Sequence, residues 1–286
     1  MIARPLVRSL VKPLARGSVL TSGGALDADA RAYIAAVEAV LPGNSIETAL
    51  PNASNPKRII SDFIKSEKAA SRWALHKRIY LPIYNNAAAN AIDAVSMTSG
   101  TFFGTVTHAA GYFQGDGASG YFDTIANWDT LVALTDATIG TINFSGNGVP
   151  NMTTIGVGAT VATAIRVASQ NSGTIPQCAW AGAGIVRAVI GTNGIQMASR
   201  SGGVTRIIRR SSAGITEDST SNPITGSVIS FPLTIGANNS GAVRVGFSDA
   251  QIGGGIISLG MSSAQLANYS LALKNLYESL TGLTLP

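Results

Sequence analysis

The chain has 286 residues, of which 45% are hydrophobic and only 12% charged, with 32 glycines. It is too apolar to be disordered, and long enough for one large core or two modest ones. The formal charge of +5 is unevenly spread: residues 1–80 hold twelve basic and six acidic side chains, residues 81–286 eight and nine. The long body thus has no cationic excess with which to neutralise phosphates, which argues against a dedicated nucleic-acid binder. A single cysteine, Cys178, excludes an internal disulfide and reads as a small core residue. No apolar run approaches the ~20 residues of a membrane span. Basic residues at 4, 8, 12 and 16 also interrupt any secretory apolar stretch, so a soluble protein made in a cytoplasm is expected.

Residues 1–24 form the first segment. Arg4, Arg8, Lys12 and Arg16 recur with Leu and Val between them, and Pro13 would break a helix. A docking peptide that anchors the chain to a partner is the favoured reading, ahead of a membrane-surface segment, a transit-like peptide or a solvated tail. Residues 25–84 read as a helical module. Asp27 or Asp29 caps a helix with apolar positions at Tyr33, Ile34, Val37, Val40 and Leu41, stopped by Pro42 and Gly43. A second helix starts at Asn55 and Pro56, buries Ile59, Ile60, Phe63 and Ile64, and is expected to continue through Trp73 and Leu75 to Tyr80. Lys57, Arg58, Lys65, Lys68, Arg72, Lys77 and Arg78 lie on its polar side, as a solvated face or a complement to an acidic partner.

Residues 85–286 read as a β-sandwich domain closed by a helix over 262–281. Large apolar side chains alternate at Ile229, Phe231, Leu233 and Ile235, and again at Val243, Val245 and Phe247. Shorter runs at 138–144, 161–167, 185–190, 195–200 and 204–209 are separated by Gly, Asn and Ser clusters, without intervening helices. That spacing predicts an antiparallel jelly-roll sandwich, mainly β, behind the α-helical N-terminal module. Hairpin turns are expected at Asn193-Gly194 and at Gly202-Gly203. The last helix has a capping box at Ser262 and Gln265, a stripe through Leu266, Tyr269, Leu273, Leu276, Tyr277 and Leu280, and a stop at Gly282.

Chemical motifs are few. Gly115, Gly117 and Gly120 match a dinucleotide fingerprint, but Tyr121 to Thr124 behind them reads as a strand where that motif needs a helix, so a hairpin turn is expected. His76 and His108 fall in different predicted modules, which leaves a histidine triad or a multi-histidine metal site without its parts. Asp116, Asp123, Asp129 and Asp136 single out no glycosidase pair, and Asp116 with Asp123 makes no regular calcium loop. No catalytic residue, metal or cofactor is therefore assigned, and the chain is expected not to be an enzyme.

The run from Tyr80 to Ala87, the Val106-Thr107-His108 segment, the glycine turn continuing into Tyr121, Asp123 and Thr124, and the Ser263-Ala264-Gln265 helix start together resemble a family of bacteriophage virion structural proteins with a concanavalin/laminin-G-like sandwich. The opening and the stretch from Leu26 to Glu38 resemble the N-termini of such proteins. The resemblance implies a capsid decoration, head-fibre or tail-associated subunit on the virion, assembled in the host cytoplasm. Its partners would be capsid, portal or tail proteins, and it would be a homo-oligomer following the symmetry of its docking site, such as a trimer. A second reading is a glycan-binding host-attachment adhesin, with Trp128 and Trp180 as candidate contact residues, although core packing is the favoured role for both. A jelly-roll hydrolase is the third.

Overall fold

The computed structural model describes residues 24–145, 153–158, 164–171, 175–182, 185–186, 193–226, 230–241 and 243–286. The expected anchor residues Arg4, Arg8, Lys12 and Arg16 lie outside them. Asp27 caps α1 (Ala28–Glu38) by accepting the Asp29 N–H, and the helix buries Tyr33, Ile34 and Val37. After the single turn α2 (Ile46–Ala49), Asn55 caps α3 (Pro56–Ala69) by accepting the Arg58 N–H.

The expected continuation of α3 to Tyr80 is corrected. Ser71 takes a φ of 57°, one 3₁₀ turn spans Trp73–Leu75, and residues His76–Tyr80 form a strand, β1. The cause is burial on two sides. Ile79 and Tyr80 are adjacent and both buried, yet they enter different cores, which successive residues of a strand can do and those of a helix cannot. The single turns α4 (Ala87–Asn90) and α5 (Trp128–Leu131) interrupt the rest of an otherwise β-structured body.

Among the described residues, seventeen strands form two sheets. The first runs in the order β13 (Gly214–Thr220), β12 (Val204–Ser211), β11 (Gly194–Ser201), β6 (Ala137–Asn143), β17 (Gln251–Ser258), β4 (Tyr112–Gly115) and β3 (Val106–Ala109), with β1 also paired to β17. The second runs β10 (Ile185–Val186), β9 (Ile175–Trp180), β8 (Ile165–Asn171), β7 (Thr153–Val157), β14 (Pro232–Ile235), β5 (Tyr121–Asn127) and β2 (Thr101–Phe103). A small hairpin of β15 (Asn238–Asn239) and β16 (Arg244–Val245) joins its β7 by a parallel pairing; the other pairings are antiparallel. The protein is thus mainly β, two sheets in a sandwich with a helical layer. The hairpin expected at Gly202-Gly203 is present: Ser201 pairs with Val204, and both glycines have positive φ, 58° and 79°. The one at Asn193-Gly194 is not, because β11 begins at Gly194 and its antiparallel neighbours are β12 and β6. The ends of the expected strands over 161–163 and 187–190, and Ile229, lie outside the described residues.

Two cores result. Between the sheets lie Phe113, Phe122, Trp128, Ile139, Ile155, Val167, Trp180, Leu233 and Ile257. On the outer face of the first sheet, Ile142, Ile195, Met197, Ile208 and Ile256 meet α1, α3 and the C-terminal helix α6 (Ser263–Thr281). The middle of the first sheet is therefore covered on both faces, which is why every residue of β6 is buried and its sequence shows no clean alternation. Helix α6 has the expected capping box of Ser262 and Gln265, buries the expected stripe, and ends at Gly282 with a φ of 71°. Among the described residues no helix is long and apolar enough to cross a membrane.

Candidate functional site

Trp128 and Trp180 are corrected first: they are 1% and 0% exposed and pack edge-to-face in the inter-sheet core, with their ring centroids 6.2 Å apart. Trp180 Nε1 donates to the Leu134 carbonyl at 2.8 Å. Neither offers a ring to a ligand at the surface. Burial also pushes the Cys178 thiol up to about 12, in keeping with a core residue. The basic side of the N-terminal helices is largely neutralised by the chain's own acids. Lys57 reaches Glu38 and Glu47, Arg58 reaches Asp62, Lys68 reaches Asp27 and Asp29, Arg72 reaches Glu67, and Arg78 reaches Asp93. Most of that charge is committed within the chain, which weakens the reading as a complement to an acidic partner.

The glycine-rich turn is not a hairpin. It carries the chain from β4 in the first sheet to β5 in the second. Asp116 organises it: Oδ1 accepts the N–H groups of Ala118, Ser119 and Gly120 at 2.9, 2.6 and 2.8 Å, and Oδ2 accepts the Ser119 hydroxyl. Those donors hold the Asp116 carboxyl well below the usual carboxylate range, so it is ionised. The glycines serve close approach. A Cβ at Gly120 would lie 2.1 Å from the Thr105 carbonyl oxygen, and one at Gly115 2.6 Å from the Gly120 carbonyl oxygen.

The structure also joins residues that the sequence kept apart. His76 Nδ1 lies 2.8 Å from the Ser258 hydroxyl and Nε2 3.4 Å from the Glu67 carboxylate, which Arg72 clamps at 2.6 and 2.8 Å. This is a serine–histidine–carboxylate order, yet Ser258 and Glu67 are 0% exposed and His76 only 3%, so as placed it is closed to substrate. What it does is tie three elements: α3, β1 and β17, with the His76 ring also packed on Tyr269 of α6 at 4.5 Å. Burial pushes the His76 pKa down against the opposing pull of Glu67. Glu67 is itself raised by burial but brought net lower by hydrogen bonds from His76 and Arg72.

The accessible chemistry lies on the outer face of the second sheet. Phe102 and Phe122 are cross-strand partners that point into the core; their neighbours Phe103 and Tyr121 are partners on the outside, stacked at 5.2 Å with 15° between planes. Beyond Tyr121 come Phe247 at 6.0 Å and the Arg244 guanidinium, 5.6 Å from the Tyr121 ring centre. Arg244 is fixed by Asp123 at 3.0 Å, Asn239 Oδ1 at 2.7 Å and the Gly241 carbonyl at 3.4 Å. The expected inward alternation of Val243 and Val245 is thereby inverted: Arg244 turns toward the sheet to meet Asp123, leaving the valines 58% and 43% exposed. Phe103, Ile125 and Phe231 are exposed on the same strands or beside the same hairpin, with Phe231 packed next to Gly241. A signal for the outside rings was present in the sequence: Phe102-Phe103 and Tyr121-Phe122 are aromatic doublets, and a strand sends one member of a doublet to each face.

No family model matches the sequence, and no curated protein matches it. Solved structures do share the fold. Domain 4 of an extracellular GH43 arabinanase from Geobacillus stearothermophilus, solved in complex with arabinotriose, is similar with a TM-score of 0.51 at 12% identity, covering 69% of this chain and 98% of that one. A sialidase from Trypanosoma rangeli in complex with sialic acid is similar at a TM-score of 0.44 and 7% identity, over 77% of this chain and 39% of that one. At these identities the likeness concerns the fold, a β-sandwich. The arabinanase domain corrects the expectation that the chain is not an enzyme: a sandwich of this shape occurs within a glycoside hydrolase, and the architecture gives no ground for excluding catalysis.

Proposed function

We propose that this chain is a virion-surface recognition subunit, its sandwich of the concanavalin/laminin-G-like jelly-roll type, which meets its target through the outer face of the second sheet. The observation that carries this reading is the separation of two faces. The helical layer, where the described chain begins, covers the first sheet, while Phe103, Ile125, Phe231, Val243 and Val245 are exposed on the second-sheet side. Exposed apolar side chains gathered on one rigid face mark an interaction surface. The resemblance to phage virion proteins supports the setting, and the basic residues Arg4, Arg8, Lys12 and Arg16 supply the means of attachment to capsid, portal or tail proteins.

Two changes test the two faces separately. Deleting residues 1–24 abolishes co-sedimentation with assembled particles, and Phe103→Ala leaves co-sedimentation intact while reducing particle adsorption to host cells. Normal incorporation of the deletion together with normal adsorption of the substitution would overturn the proposal.

A further inference from the structure

The ring at the open end of the aromatic row and the polar turn beside it make a combination that the recognition reading does not by itself require. Tyr121 is packed between Phe103 on one side and Arg244 on the other. Phe103 lies on β2, the edge strand of the second sheet, and is 44% exposed, so the row ends in an accessible aromatic surface. The residues that follow Phe103, Gly104 and Thr105, abut the polar turn of Asp116 to Gly120. A Cβ at Gly104 would lie 2.1 Å from the Ser119 carbonyl oxygen, and the Thr105 N–H donates to the Ser119 hydroxyl at 3.2 Å, which in turn donates to Asp116 at 2.8 Å. An aromatic surface thus stands beside an exposed, fixed carboxylate and a hydroxyl.

The charges select among ligands. Arg244, the cation of the row, is engaged by Asp123, whereas Asp116 takes its bonds from backbone N–H groups and a serine hydroxyl and keeps its full negative charge. Among the described residues of this edge, an anionic ligand would meet that carboxylate with no free cation to offset it; a neutral polyhydroxylated ring can stack its C–H face on Phe103 and donate hydroxyls to Asp116.

We infer that the edge formed by Phe103, Asp116 and Ser119 binds a neutral oligosaccharide in preference to an acidic one. This deepens the recognition reading and rests on it.

The test is calorimetric titration of the full-length protein with two sets of probes: neutral arabinotriose, xylotriose and maltotriose, and acidic 3′-sialyllactose and trigalacturonate. The expected result is that at least one neutral probe binds and the acidic ones bind at least about tenfold more weakly. Phe103→Ala, an exposed edge substitution that leaves the melting curve in place, weakens the neutral probe about tenfold or more. Asp116→Asn, which keeps an acceptor oxygen for the turn, narrows the gap between the neutral and acidic sets. Tighter binding of the acidic probes, unchanged binding by Phe103→Ala, or no binding of any neutral probe overturns the inference. So does self-association that Phe103→Ala abolishes in sedimentation, since the edge would then be covered by a second copy. Failure to bind sugar while Phe103→Ala particles still lose adsorption discards the neutral-sugar class and leaves the recognition face standing; unchanged adsorption removes both.

Discussion

His76 gives the sharpest quantitative prediction, because only two histidines occur in the whole chain. In the folded protein its side chain is 0% exposed and its pKa is pushed below the ordinary 6.5, chiefly by burial. Below pH 6.5 the unfolded chain takes up a proton at residue 76 that the folded chain resists, so stability is full above that pH and falls as the pH drops toward the folded pKa. For complete exclusion of the proton the loss is about 1.4 kcal/mol at pH 5.5, as an upper bound. Such a loss corresponds to a melting point lower by about 2–4 °C. The carboxylate beside it does not confuse the window: Glu67 has its pKa lowered from 4.5, so its own contribution is lost only at more acid pH. The other histidine, His108, is half-buried and also lowered by burial, and is best removed by working in a His108→Gln background. The assay is urea denaturation at pH 7.5, 6.5, 5.5 and 5.0, with and without His76→Gln. The expected outcome is a fall in unfolding free energy between pH 6.5 and 5.0 that His76→Gln largely abolishes. A fall of the same size in the variant would refute the assignment of that slope to the buried Glu67–His76–Ser258 contact.

Further outcomes follow from packing and capping. Trp180→Ala removes a fully buried ring that packs against Trp128 and should cost about 3–5 kcal/mol in chemical denaturation. Ser262→Ala removes the cap of α6 and should cost about 1 kcal/mol, with no change in the denaturant slope. Cys178 should be inert to a thiol reagent in the native protein and react with one equivalent after unfolding, since it is buried and its thiol is pushed up to about 12.

The parts of the fold legible in the sequence were those written in local chemistry. Asn55 before Pro56, the Ser262–Gln265 box, Gly282 and the Gly202-Gly203 turn each satisfy or strain backbone groups within a few residues, and each stands where expected. The misread places were decided by distant partners. Residues 76–80 follow a helical pattern of apolar spacing, but the edge of β17 pairs them as a strand with residues 255–258. Val243 and Val245 alternate as core residues do, and the charged partner that draws Arg244 to the inner place, Asp123, lies over a hundred positions away. The glycine turn was legible as a turn but not as a crossover, because nothing local states which sheet the next strand joins. At the candidate face, the aromatic doublets at 102–103 and 121–122 already place one ring outside each strand, whereas the ion pair under it depends on tertiary register. The two tryptophans take the core role favoured for them in the sequence rather than the glycan-contact one, as a large ring more often does.

Strand β17 pairs with strands far earlier in the chain: β1 on one edge, some 180 positions earlier, and β6 on the other, with α6 following it to close the helical core. During synthesis, α1 and α3 therefore emerge long before the strand that anchors β1 and the helix that covers their apolar sides. Until residues 251–281 have left the ribosome, Ile60, Ile64 and Ile79 lack much of their final surroundings, and closure of that layer waits on one of the longest-range contacts in the molecule. Chains halted before β17 should consequently be the aggregating species in expression, and compaction of this layer should coincide with the synthesis of residues 251–281 rather than proceed in step with α1 and α3.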